Sequence, residues 1–396
     1  MRNLLTGVCA AMLMLSNVMA SGQIVLLDVL VEMTTMLITL LIFFINFRYI
    51  KIAKSYTLCE VLILGILLVA SVSNTMYSGV RPIIVMTVKG VAFILLFSKY
   101  LKYDTDNIFS IITKVTIVLG VLNLVLMILT PNLFGENKYF IAPNRNNFPN
   151  LFLPGILSGF ILSKSKIKNG RNYYWILLSV ALLTVCIVKS VTSIIGIGLV
   201  AVYSLLEHKS HFIRKYSAIF LLLGIVLFFC GIVLLNDISI IAESDLVGNF
   251  LDKADKDITF SGRTWVWMSA IEMIYDHPFK GIGYYWGKWA MDHFQVSNTH
   301  NVILEILLTG GVLFLVLIVM MIVKLLSKVR KQLKSDCASG ILFIFTVYLL
   351  MMQFEVYGYI MQFIFYFIIY CSLHTKELKK SNCDAGNISY SPYLQS

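Results

Sequence analysis

The chain has 396 residues, of which 58% are hydrophobic and only 13% charged. Soluble domains carry roughly 25% charged residues, so this composition excludes an ordinary soluble fold. The net charge of +11 would suggest nucleic acid or another anionic partner, but most of the excess lies in short loops between apolar runs, which removes any nucleic-acid reading.

Apolar runs recur along the whole length and predict an all-α, polytopic membrane protein. Twelve spans are expected, at about 4–20, 24–47, 58–76, 83–98, 109–130, 148–163, 173–189, 190–206, 217–236, 300–323, 338–357 and 358–372. The first run, with Arg2 before it and Val18-Met19-Ala20 after it, also fits a cleavable signal peptide. A first span is preferred because a second hydrophobic run follows at once. The pairs 173–189 with 190–206, and 338–357 with 358–372, must turn tightly.

Lys and Arg cluster at 48–54, 99–102, 164–171, 209–215, 324–334 and 376–380, always at alternate ends of spans. With Arg2 these stretches hold 21 of the 32 basic residues. The positive-inside bias therefore puts both termini in the cytoplasm. Two sizeable loops face outward, 131–147 and 237–299. The expected organisation is spans 1–9 over 1–236, an external loop with an interfacial helix over 237–299, spans 10–12 over 300–372, and a disordered cytoplasmic tail over 373–396.

Some signals carry little. The seven cysteines form no CxxC pair, and most fall in apolar runs, so they read as small buried hydrophobes. Asp104-Thr105-Asp106 and Asp255-Lys256-Asp257 have the form of metal-holding Asp pairs but read better as solvated loops, so no metal is expected. Asp28 and Glu32 lie one helical turn apart and could form an ion site or simply be exposed. Lys89 and Lys114, inside spans, are expected to pair with carboxylates or face a polar cavity.

Chemistry concentrates in the external loop and the span after it. Ser261 is a plausible N-cap, and Arg263 to Tyr275 reads as a helix with Trp265, Met268, Ile271 and Tyr275 on one apolar stripe. Arg263 in the first turn suits a phosphate or pyrophosphate, or else snorkels to lipid phosphates. Asp276-His277-Pro278 ends the helix, and Gly281-Ile282-Gly283 is a turn too short for a nucleotide loop. Tyr284, Tyr285, Trp286 and Trp289 read as an aromatic belt or a sugar-stacking surface. His300, at the mouth of the tenth span, can accept a proton from a hydroxyl. Asn301 and Glu305 are expected to pair with each other or with a neighbour.

Ser261-Gly262-Arg263 with Trp267, then Pro278/Gly281/Gly283, then His300-Asn301 with Leu304 and Gly311, resemble the O-antigen ligase and Wzy-type polysaccharide polymerase family. The motif block covers about 50 residues, and the large external loop before the last three spans fits the rest of the layout. The resemblance implies a GT-C-like architecture and a metal-independent, cofactor-free, inverting glycosyltransferase at the outer face of a bacterial inner membrane. Its donor would be a glycan on undecaprenyl pyrophosphate, with membrane lipids, a chain-length regulator and a repeat-unit flippase as further partners. By similarity His300 would be the base and Arg263 the pyrophosphate ligand, with Trp267, Asn301 and Glu305 among the substrate-binding residues.

The chain departs from the family pattern in one place. A Ser-Arg pair common in an earlier span is here Lys189-Ser190-Val191, so Lys189 or Arg145, in Asn144-Arg145-Asn146-Asn147, could supply the missing charge. Both also read as an ordinary span end and an ordinary loop. A polymerase of surface polysaccharide, O-antigen or capsule, is the preferred reading. An O-antigen ligase acting on lipid A core or another acceptor is the close alternative, and a lipid-linked oligosaccharide flippase is the alternative of a different class.

Overall fold

A computed structural model describes residues 2–15, 25–46, 81–130, 139–142, 144–165, 167–234, 263–283, 285, 288–296, 298–357 and 359–379. The described residues form helices α1 (Arg2–Leu15), α2 (Val25–Asn46), α3 (Arg81–Tyr103), α4 (Thr105–Leu129), α5 (Phe148–Lys164), α6 (Gly170–Ile187) and α7 (Val191–Leu206). They continue with α8 (His211–Phe228), a π-helical turn (Phe229–Leu234), α9 (Arg263–Asp276), α10 (Lys288–Phe294), α11 (Val302–Gln332), α12 (Ser335–Met351) and α13 (Tyr359–Ser372). The fold is all-helical among these residues. Four helices are long and apolar enough to cross a membrane: α4, α6, α8 with its extension to Gly231, and α11, with shorter apolar helices beside them. The expected span 58–76, the acidic stretch to Thr259 and the Ser261 cap lie outside the described residues.

α5 is the axis of the bundle. Every residue from Phe148 to Leu162 is buried, so this helix is apolar all round and touches no lipid. It can sit there because Gly155 and Gly159 let neighbours close in. A Cβ on Gly155 would stand 2.5 Å from Thr116 Oγ1 of α4, and one on Gly159 3.3 Å from the Tyr174 side chain of α6. Small residues at four-residue spacing are the usual route to close helix contact in a bilayer. The periphery is the reverse: α8 exposes Phe212, Ile219, Phe220, Leu223 and Leu227, and α4 exposes Val118, Leu122, Val125 and Leu129.

Polar bonds gather at the two ends. At the basic end, Tyr100 donates to Asn3 (3.0 Å), Lys164 pairs with Glu207 (2.8 Å), Arg214 pairs with Asp336 (3.1 Å), and Thr375 donates to Thr105 (3.2 Å). Chain alternation then brings 139–147, 188–190, Arg263, 299–301 and 352–357 to the opposite end. Lys114 lies over the Tyr173 ring, 5.1 Å from its centroid, rather than over a carboxylate.

Two expected spans need correction. The run 338–357 is helical only to Met351; 352–357 is turn and irregular chain. The span expected from 300 starts at Val302, and His300 precedes it with φ +53°. Averaged hydropathy hides both breaks, because His300-Asn301 and the pair Gln353 and Glu355 are short polar interruptions beside long apolar runs.

α11 is also bent. Its 31 residues have a contour of about 45 Å, against about 25 Å for the 17 residues of α12. Yet the two helices meet at both ends, since Val302 N donates to Met352 O (2.9 Å) and only Leu333 and Lys334 separate them at the other end. Gly311, at φ 69° and ψ −170°, absorbs the difference. The backbone groups released there are taken by the Pro278–Gly283 turn. Ile282 N donates to Leu308 O (2.7 Å), Gly283 N to Thr309 O (3.0 Å), and Val312 N to Pro278 O (2.8 Å). Unsatisfied backbone is costly in lipid, so this turn works as a patch on the broken helix. A Cβ on Gly311 would meet the Phe279 carbonyl at 2.3 Å, and one on Gly281 (φ +64°) would meet Leu308 O at 2.4 Å. Gly311→Ala should therefore lose about 1–3 kcal/mol from the left-handed backbone alone. Thermal unfolding in detergent should show a clear drop in Tm; an unchanged Tm would mean the bend needs no glycine.

Candidate active site

The site is built where α9, the turn before α11 and the segment after α12 converge. Trp267, on the second turn of α9, is fully buried, and its indole N–H donates to Thr299 O (3.0 Å). Thr299 is buried too, and three donors converge on Glu305 Oε2: Thr299 N (3.1 Å), Thr299 Oγ1 (2.9 Å) and Tyr285 OH (2.6 Å). Asn301 caps α11, its Oδ1 accepting from Ile303 N (3.0 Å) and Leu304 N (3.2 Å). Its Nδ2 donates to Gln353 O (3.3 Å) and Gln353 Oε1 (3.2 Å). His300 is thus held on both sides, and its N–H donates to Asn298 Oδ1 (2.9 Å). A histidine at positive φ is uncommon, and the surrounding bonds hold it there.

Glu355 lies at the centre of the site. It is 4% exposed, and its Oε2 stands 3.3 Å from Arg263 Nη2 and 3.4 Å from His300 Nδ1. Nδ1 is enclosed and forms no hydrogen bond, and 3.4 Å is long for one. The two atoms face each other at a distance that a shift of a few tenths of an ångström would turn into a hydrogen bond. Burial pulls the Arg263 pKa below its ordinary value, while the charge of Glu355 opposes that pull. Phe354 fixes the segment by packing on Phe228 (centroids 4.9 Å), which meets Trp267 edge-on (6.3 Å).

The structure therefore brings Arg263 and His300 together through one carboxylate. Trp267, Asn301 and Glu305 surround them but spend their polar atoms inside the protein: the Asn301 and Glu305 side chains pair with neighbours, and Glu305 N donates to Asn301 O (2.9 Å). Arg145 and Lys189 are exposed at the same end of the bundle. Their loops are stitched together, since Ser190 donates to Asn146 Oδ1 (3.1 Å). Lys189 occupies a left-handed turn (φ +54°) between α6 and α7. The Asp28 and Glu32 side chains lie outside the described residues. Sequence reasoning missed Glu355, Gln353 and Thr299. Glu355 was findable, being the only charged residue between Ala338 and Ser372, where an ionisable group is expensive.

This fold and site define a polytopic membrane protein with a buried Arg–Glu–His cluster at the end opposite its basic loops. Residues 175–319 match the family model described as O-antigen ligase, consistent with the O-antigen ligase and Wzy-type polymerase family that the residues resemble. The matched segment holds Lys189, Arg263, Trp267, His300, Asn301 and Glu305. No curated protein matches the chain. The match covers 145 of the 396 residues, and the long apolar helices are compatible with a membrane protein of that kind.

Removing one partner of a buried pair leaves an uncompensated charge, at about 3–5 kcal/mol. Arg263→Ala should lower Tm in detergent, and adding Glu355→Gln should restore part of the loss. If the double variant melts at or below the single one, the two groups are not energetically paired.

Proposed function

We propose that this protein transfers a glycan from a polyprenyl-pyrophosphate carrier to a sugar hydroxyl, at the outer face of a bacterial cytoplasmic membrane. The observation that carries the reading is the shared carboxylate. Glu355 faces His300 Nδ1 and favours the tautomer with its proton there, so Nε2 carries the free lone pair. Nε2 takes the proton from the acceptor hydroxyl as its oxygen attacks the anomeric carbon from the side opposite the pyrophosphate, with inversion. The anomeric C–O bond to phosphate breaks, and its electron pair leaves with the pyrophosphate.

Arg263 binds that anion. Glu355 engages one of its Nη atoms, which leaves the rest of the guanidinium fork for phosphate oxygens. A fixed cation there stabilises the charge that grows on the leaving group, so it favours the transition state over bound donor. Trp267, Asn301 and Glu305 act by holding His300 and Arg263 in register. Arg145 and Lys189 supply further positive charge for the carrier phosphates, in place of the family's Ser-Arg pair.

Polymerisation of O-antigen or capsule repeat units is the preferred reading, with a chain-length regulator and a flippase as working partners. The ligase reading, transfer of the finished glycan to lipid A core or another acceptor, is favoured by the description of the matching family. The two are separated by the glycan banding pattern of a deletion strain: a polymerase null leaves a single repeat attached, and a ligase null leaves none.

His300→Ala tests the shared chemistry. Loss of general-base catalysis should reduce transfer by about 10²–10⁴-fold, with lipid-linked glycan accumulating. Undiminished transfer by His300→Ala would rule out the base and return the flippase reading to the front.

A further inference from the structure

Tyr357 lies two residues beyond Glu355 in the irregular segment between α12 and α13. Both are buried, at 1% and 4% exposure, whereas Val356 between them is only half-buried, so the two side chains point inward together. Ring and backbone are both fixed. The ring stacks on Tyr348 (centroids 5.6 Å, planes at 19°), and Gln362 Nε2 donates to the Tyr357 carbonyl (2.7 Å). The hydroxyl, although enclosed, has no hydrogen-bond partner. A buried polar group left unpaired is destabilising and calls for a reason. It also lies within the electrostatic reach of Arg263 and Glu355, and burial raises its pKa well above the ordinary tyrosine value. The phenol is therefore a fixed donor without an acceptor, on the same short segment as Glu355, the partner of the cation assigned to the leaving group.

We propose that Tyr357 is a further catalytic residue, its hydroxyl donating a hydrogen bond to the pyrophosphate oxygen that parts from the anomeric carbon. This rests on the transferase reading above. Tyr357 keeps its proton throughout: the acceptor's proton goes to His300, the electron pair of the broken C–O bond goes to the phosphate oxygen, and the phenol stabilises the charge arriving there. The missing partner of the buried hydroxyl is then the substrate. Tyr348 provides the internal comparison. It is equally buried and its hydroxyl is equally unpartnered, but it sits within α12, on the helix rather than on the segment that carries Glu355, with its ring stacked on Tyr357 and Phe365.

The test uses the full-length protein in nanodiscs with its polyprenyl-pyrophosphate-linked glycan, and compares Tyr357→Phe, Tyr348→Phe and His300→Ala. Phenylalanine keeps the stacked ring and removes only the hydroxyl. Tyr357→Phe should melt at or above the wild-type temperature, because an unpaired polar group has been removed. Its kcat should fall about 10²–10³-fold with KM little changed, while Tyr348→Phe keeps its rate. Tyr357→Met, normalised to folded protein, should show the same loss. Wild-type turnover by Tyr357→Phe with His300→Ala inactive would overturn this proposal and leave the transferase reading standing. Wild-type turnover by His300→Ala as well would overturn both.

Discussion

One buried carboxylate organises the end of the bundle where α9, α11 and α12 meet. Glu355 has almost no contact with water and sits between a guanidinium and an imidazole. A carboxylate in that position is tolerable only with a positive partner close by, since desolvation without one is prohibitive. Arg263 meets that need and in doing so is drawn to the histidine. Both contacts, at 3.3 and 3.4 Å, are looser than ideal hydrogen bonds. Catalytic contacts commonly tighten only when substrate arrives, and an anion entering beside Arg263 would compete for the same cation.

Holding these three groups together requires three chain segments that are distant in sequence to be fixed to one another. Trp267 ties α9 to Thr299, and Glu305 with Tyr285 clamps Thr299 from the other side. Asn301 ties the start of α11 to Gln353, and Val302 ties it to Met352. The bend at Gly311 makes this possible, because a straight α11 would overshoot the end of α12. The Pro278–Gly283 turn then satisfies the backbone the bend exposes. The glycines of the external motif thus serve geometry, and the chemistry rests on side chains elsewhere.

Much of this was legible in the residues. Composition gave the membrane class, and α9 over Arg263–Asp276 agrees with the helix expected from Arg263 to Tyr275. Arg263 and His300 were readable because an arginine and a histidine stand out beside apolar spans. Glu355 stands out in the same way, as the only charged residue between Ala338 and Ser372, but was overlooked because the run around it is hydrophobic enough to pass for continuous helix. Trp267, Asn301 and Glu305 stood out by motif, yet their role as internal braces depends on contacts that no spacing encodes. The same holds for Ile282 and Gly283, whose hydrogen-bond partners, Leu308 and Thr309, lie on a helix 26 residues further on.

The most direct measurement is a cryo-EM structure of the protein with a polyprenyl-pyrophosphate-linked sugar in the site. The account predicts phosphate oxygens on the Arg263 guanidinium, Glu355 retained against His300 Nδ1, and His300 Nε2 facing the space beside the anomeric carbon. A pyrophosphate bound away from Arg263, or an imidazole turned with Nε2 into the protein, would contradict it.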